Sequence, residues 1–165
     1  MTAMTLVTEE STRGTDWVDP PDPGALPARV RIAHPGGEVP AEGTVPPAVA
    51  RALVGVLRPF TGTQSPCRFA VWEGWAALAG LRTETDVRLR RPGRDYLLLT
   101  GPLEAATESF DDVVHQTANL WWPHDAIWLV AVDVDDTATL VAGPAALADM
   151  VLAHPELSAR RADLS

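Results

Sequence analysis

Residues 120–133 read Leu-Trp-Trp-Pro-His-Asp-Ala-Ile-Trp-Leu-Val-Ala-Val-Asp and hold three of the chain's six tryptophans. A run this apolar must be covered on both faces, so it predicts a central strand over residues 127–134. Just upstream, the residue before Pro123 is pushed into an extended conformation. Adjacent side chains of an extended segment point to opposite sides, which leaves one ring of Trp121 and Trp122 near the surface. The block therefore demands a sheet-bearing core with an aromatic rim, and it contains no catalytic constellation.

The flanking sequence supplies the rest of such a core. Residues 28–33 alternate apolar and charged side chains as a strand does. Thr44 is placed to cap a helix, with Pro46 or Pro47 in its first turn. Val49, Leu53, Val56 and Leu57 then form its buried face, and Pro59 stops it. Residues 67–72 read as a central strand with Phe69 and Val71 on one face and Ala70 and Trp72 on the other. Residues 86–90 alternate strictly, Arg91-Pro92-Gly93-Arg94 has turn chemistry, and residues 95–100 return as the partner strand. Ser109 with Asp111 and Asp112 resembles a capping box, predicting a helix buried through Phe110, Val113, Val114 and Thr117. Asp135 and Asp136 turn the valine strand into residues 138–141. Gly143-Pro144 opens a last helix with Leu147, Met150 and Val151 on one face, ended by Pro155.

This order gives an α+β fold, a largely antiparallel sheet of about five to six strands with about three helices, layer-packed as one domain over residues 28–165. Residues 1–27, with Asp19-Pro20-Pro21-Asp22-Pro23-Gly24, read as an irregular or partly disordered arm that Trp17 pins to the body.

Composition excludes more than it assigns. All thirteen basic residues are arginine, so lysine chemistry is ruled out: no Schiff base, no pyridoxal-phosphate anchor, no P-loop lysine. A lone cysteine, Cys67, forms no internal disulfide. No basic, apolar export signal opens the chain and no apolar run reaches the roughly 18 residues of a membrane span, so a cytoplasmic protein is expected. The formal charge of -9 repels nucleic-acid phosphate. Residues 82–94 run against that trend, with five arginines facing two acids. Such an island suits an acidic partner or, more commonly, a solvated strand face.

The four histidines, at 34, 115, 124 and 154, have no standard zinc spacing, and the Asp133, Asp135 and Asp136 group sits where a turn wants aspartate. No metal and no cofactor are expected. Cys67 at a strand start reads as a small buried hydrophobe. The remaining candidates for recognition are Trp72, Glu73, Trp75, Tyr96, Trp121, Trp122 and Asp125, because aromatics at a sheet edge are typical anchors.

Phe69-Ala-Val-Trp-Glu-Gly-Trp75, Leu120-Trp-Trp-Pro-His-Asp125 and Trp128-Leu-Val-Ala-Val-Asp133 together resemble a group of small actinobacterial proteins over roughly residues 50–157. Members often carry Arg-Ala-Trp after the acidic residue, whereas Asp125 is followed here by Ala126-Ile127-Trp128. The resemblance implies a coherent fold and no particular activity.

Two expectations follow. One is a non-enzymatic protein-binding domain, of the inhibitor or immunity type, whose acidic surface speeds encounter with a basic partner. The other is a small-molecule enzyme or ligand-binding domain with a pocket beside Trp72, Glu73, Trp75 and Tyr96, and Glu73 or Asp125 as the acid–base group. Nucleic-acid binding through the arginine hairpin is the weakest reading.

Overall fold

A computed structural model of the chain describes residues 3–8, 19–36, 41–62, 66–82 and 87–163. Trp17 lies outside them. The described residues form one sheet of nine strands: β1 (Thr5–Leu6), β2 (Ala28–Ala33), β3 (Cys67–Trp72), β4 (Arg88–Arg91), β5 (Arg94–Gly101), β6 (Leu120–Pro123), β7 (Leu129–Ala131), β8 (Ala138–Gly143) and β9 (Ser158–Arg161). Their order is β1-β5-β3-β6-β7-β8-β2-β9, with β4 also on β5. Every pairing is antiparallel.

Among the described residues three helices accompany the sheet: α1 (Pro47–Leu57), α2 (Ala79–Arg82) and α3 (Ala145–Ala153). The architecture is therefore mixed helix and strand with an antiparallel sheet, as expected. The strand number is not: nine replace the expected five to six. The three additions are β1, β6 and β9. Two residues of β1 are too few to show a period. In β6 the tryptophans mask any alternation, and Pro123 falls at the last position, opposite Cys67, where it ends the pairing. In β9 the sequence Ser-Ala-Arg-Arg is that of an edge strand held by backbone bonds to β2 rather than by apolar burial.

The sheet buries both faces. Val30, Ile32, Phe69, Val71, Leu97, Leu99, Trp121 and Val130 pack with Val49, Leu53 and Leu57 of α1 and Leu147 and Val151 of α3. The opposite face holds a smaller core of Val7, Ala70, Tyr96, Leu98, Trp122 and Leu129, with Leu26 packed against it. Met4 and Val7 of the first 27 residues are buried, and Arg29 ties the 3-10 turn Pro23–Ala25 down by donating to the carbonyls of Pro23 and Leu26.

Several local expectations are corrected. Thr44 does not cap α1: no side chain caps that helix, and the Thr44 hydroxyl faces Thr117 instead. Met150 of α3 is substantially exposed, and Ala148 takes its place in the buried stripe. The helix expected after Ser109 does not form. The Ser109 hydroxyl accepts the amides of Asp111 and Gln116, and Asp111 Oδ1 accepts those of Val113 and Val114. These side chains take the amides that a helix would have needed. Val113 is left 92% exposed and Val114 57% exposed. The expected strand over residues 127–134 shortens to Leu129–Ala131, because the chain re-enters the sheet through Ala126 in the left-handed region at φ 56°.

A buried polar clasp organises the middle of the sheet. Asn119 Oδ1 accepts the Trp72 amide at 2.9 Å, while Nδ2 donates to the carbonyls of Gly43 at 3.1 Å and Val132 at 3.2 Å. Its own amide donates to Ala70 and its carbonyl accepts from Val132. Beside it, Thr117 and Thr44 exchange bonds: the Thr117 amide donates to the Thr44 hydroxyl, and the Val45 amide to the Thr117 hydroxyl. Gly43 is required, since its φ is +72° and a Cβ would run into the Val134 carbonyl.

Each orphaned buried polar group costs about 1–3 kcal/mol. Asn119→Ala orphans the Trp72 amide and two carbonyls, so urea unfolding should show a loss of about 3 kcal/mol or more. Val113→Ala, on the exposed loop, should change stability by less than about 0.5 kcal/mol. Equal effects from the two variants would refute the clasp's role.

Candidate functional site

β3 ends at Trp72, and the chain then turns back on itself. The Trp75 amide donates to the Trp72 carbonyl at 3.4 Å, and the Glu73 amide to the Asp95 carbonyl of β5 at 3.1 Å. The Trp72 indole folds over Gly74, where any Cβ would collide with the ring. That glycine seats the indole; from the sequence alone it reads as a strand breaker. Trp75 meets Trp72 edge to face, with centroids 5.3 Å apart and planes at 76°.

The β4–β5 hairpin brings arginines to this corner. Its turn uses Pro92 and Gly93, the latter at φ +74°, as the Pro-Gly pair requires. Arg94 lies 5.5 Å from the Trp72 ring centroid, a cation–π contact. The same guanidinium sits 3.9 Å from both Asp133 and Asp135, beyond hydrogen-bond reach, and donates to the Gly93 carbonyl at 3.1 Å. Glu73 is held by Arg88 at 2.6 Å, with their side chains 30% and 12% exposed. Asp95 pairs with Arg90 at 2.8 Å. Arg91 makes no ion pair among the described residues. A hollow of about 360 Å³ opens between Trp72, Glu73 and Gly74 on one side and Arg91, Gly93, Arg94 and Asp95 on the other.

The expected site residues divide. Trp72 and Glu73 line the hollow, and Trp75 supports Trp72 from behind. Tyr96 pairs with Trp72 across the strands but is buried in the smaller core and lines no part of the hollow. Its hydroxyl is pushed above its ordinary pKa by burial and then by Asp133. Asp125 is not brought to this corner. It lies in the turn after Pro123, which pairs with Cys67 at the other end of β3, about 17 Å from Trp72 along a six-residue strand.

The expectation that one of Trp121 and Trp122 stays near the surface is overturned. Both are fully buried. β6 is an interior strand with cores on both sides, so alternation sends Trp121 into the larger and Trp122 into the smaller. Each ring contributes about 4–6 kcal/mol of gross transfer free energy, an upper bound for the folded state.

The groups that chemistry would call on are engaged elsewhere. Cys67 is fully buried, and burial, then Glu104, pushes its thiol up to about 12. His34 is lowered by burial and bridges the Ala41 carbonyl at 2.6 Å and the Thr139 hydroxyl at 2.7 Å. The carbonyl only accepts, so Nδ1 carries the proton and Nε2 takes the threonine's. His115, also lowered by burial, donates to the Val45 carbonyl. Among the described residues no group of three or more His, Cys, Asp or Glu is placed to hold a metal, and no helix is long and apolar enough to cross a membrane. No family model matches the chain, and comparison with curated proteins and with solved structures finds no significant match.

Arg94 and Asn119 are the participants that sequence reasoning missed. Arg94 shows in the sequence as a turn residue and as one of five arginines in a basic island, with nothing to set it against Trp72. Asn119 has partners 47 and 76 positions away, which no local pattern encodes.

Gly74→Ala should displace the Trp72 ring while leaving β3 intact. Near-ultraviolet circular dichroism of tryptophan reports ring packing, and its bands should weaken while the β3 backbone amides keep their protection from exchange. Undisturbed bands would show that the seat is not where the ring is held.

Proposed function

We propose that the chain is a protein-binding module of the inhibitor or immunity type, and that its contact surface is the corner formed by Trp72, Trp75, Arg91 and Arg94. The observation that carries this reading is the Arg94 guanidinium lying over the Trp72 indole, 5.5 Å from its centroid, at the mouth of an open hollow. Tryptophan and arginine are the residues most enriched where binding energy concentrates, and both are held here by turn and strand backbone rather than by a loose loop. Arg91 adds a charge without a partner among the described residues, suited to a carboxylate on the bound protein. The acidic body around the corner favours fast encounter with a partner that is basic overall.

Catalysis is the poorer reading of this geometry. Glu73, the acid–base candidate at the site, is tied to Arg88, and Asp125 is a strand length away. A small-molecule site keeps one observation in its favour, since about 360 Å³ lies within the range of ligand pockets, about 300–1,000 Å³.

One preparation separates these readings. The tagged protein is purified from its own host and examined by native mass spectrometry beside the Trp72→Ala/Arg94→Ala double variant and the distant Asp125→Ala variant. A protein partner should accompany wild type and Asp125→Ala and fall at least tenfold in the double variant, about 1.4 kcal/mol. A small bound mass lost in the same variant would favour the ligand pocket. Identical recoveries from all three, or no bound species at all, would remove the binding role.

A further inference from the structure

A second cleft lies at the other end of the sheet, away from the tryptophan corner. β2 is flanked by β8 and β9, and on the face opposite the helices its Arg31 stands directly across from Arg160 of β9. Like charges directly opposite on antiparallel strands are destabilising. The next position on that face pairs Ala33 with Ser158 on one side and with Ala138 on the other. These small side chains leave a hollow of about 480 Å³ beside the two guanidiniums, with Thr137 at its rim.

The local charges do not cancel. Among the described residues Asp136 is the one carboxylate lining the cleft, and both its oxygens are engaged. Oδ2 accepts from Arg31 at 3.0 Å, and Oδ1 accepts the Ala138 amide at 3.2 Å. Arg161, the next residue of β9, turns to the helix side and pairs with Asp149 at 3.0 Å. Arg160 is exposed and has no ion pair among the described residues. Among the described residues one excess positive charge therefore sits over an alanine floor, within an acidic chain of 22 acidic residues of which Asp136 alone lines the cleft.

We propose that this cleft binds a small organic carboxylate, its head between the Arg31 and Arg160 guanidiniums with the Ser158 hydroxyl in reach, and its apolar body on Ala33 and Ala138. A guanidinium fork matches a carboxylate's two oxygens. A single excess charge suits a monoanion, whereas a phosphate dianion would meet Asp136. The bound head also relieves the repulsion between the paired arginines, which gives the arrangement a physical reason that edge protection alone would not need. A cleft of this volume accepts a molecule the size of a short fatty acid or an aromatic acid.

The test titrates isotope-labelled protein with benzoate and with hexanoate, reading arginine side-chain and backbone resonances, with methyl benzoate, inorganic phosphate and sodium chloride as controls. Saturable shifts should appear at Arg31, Arg160, Ser158 and Ala33 with either carboxylate. The ester should give none, and phosphate should compete no better than chloride. Arg160→Ala should weaken binding at least tenfold. Arg160→Glu should abolish it while raising the melting temperature of the free protein, because an opposite-charge pair then replaces the repulsive one. Shifts that never saturate, or that match those of chloride at Arg90 and Arg91, would overturn the proposal and leave Arg160 as a guard of the sheet edge. Phosphate binding tighter than either carboxylate would overturn the assignment of the ligand class.

Discussion

The carboxamide of Asn119 is the constraint on which both the fold and the tryptophan corner depend. It is buried, and its three hydrogen bonds reach the end of β3, the loop before α1 and the strand region leaving β7. Only one orientation of the amide satisfies an N–H and two carbonyls together, so its oxygen must face Trp72. In an apolar interior such a group is costly unless every partner is present. The clasp therefore sets the register between segments remote in sequence. It also sets the positions of two elements that enclose Arg94. The Trp72 backbone is held directly, and Val132 leads straight into the Asp133 to Asp136 turn whose carboxylates flank the guanidinium. A corner built this way is preorganised by the core beneath it.

Charge placement follows a pattern that composition hides. The chain is acidic overall, yet the flanking strands β4 and β9 carry Arg88, Arg90, Arg91, Arg160 and Arg161. Arginine on an edge strand discourages pairing with another copy. The two described hollows lie next to these strands, so the same side chains that guard the edges supply guanidiniums to the openings beside them.

Much of the fold was legible from periodicity. β2 and β3 run over the residues their alternation indicates, α1 follows its apolar spacing, α3 does so except at Met150, and the β4–β5 hairpin forms around Pro92 and Gly93. β2, α1 and α3 each bury one apolar face and β3 and β5 bury both, and local pattern records that. The failures share a cause of another kind. At Ser109 and Asp111 short-range side-chain bonds outcompeted a helix whose apolar stripe looked adequate. At β9 backbone pairing to β2 made a strand without an apolar face. At Trp121 and Trp122 the period of two was read correctly, but the second core that covers Trp122 is assembled from Val7, Leu26 and Leu98, which no window around the tryptophans contains. Of the site, Trp72, Glu73 and Trp75 were legible as a cluster. Arg94 was not, because its contact with Trp72 exists only after β3 and β5 pair in the register that sets Trp72 opposite Tyr96.

Amide hydrogen exchange measured in the native protein tests the central claim most directly, by reading the Trp72 and Val132 amides that Asn119 holds. If the clasp organises the sheet, both should exchange only through opening as costly as global unfolding, and both should respond to denaturant with the full unfolding slope. Exchange of the Trp72 amide within minutes, with little dependence on denaturant while the β3 and β5 amides stay protected, would contradict it.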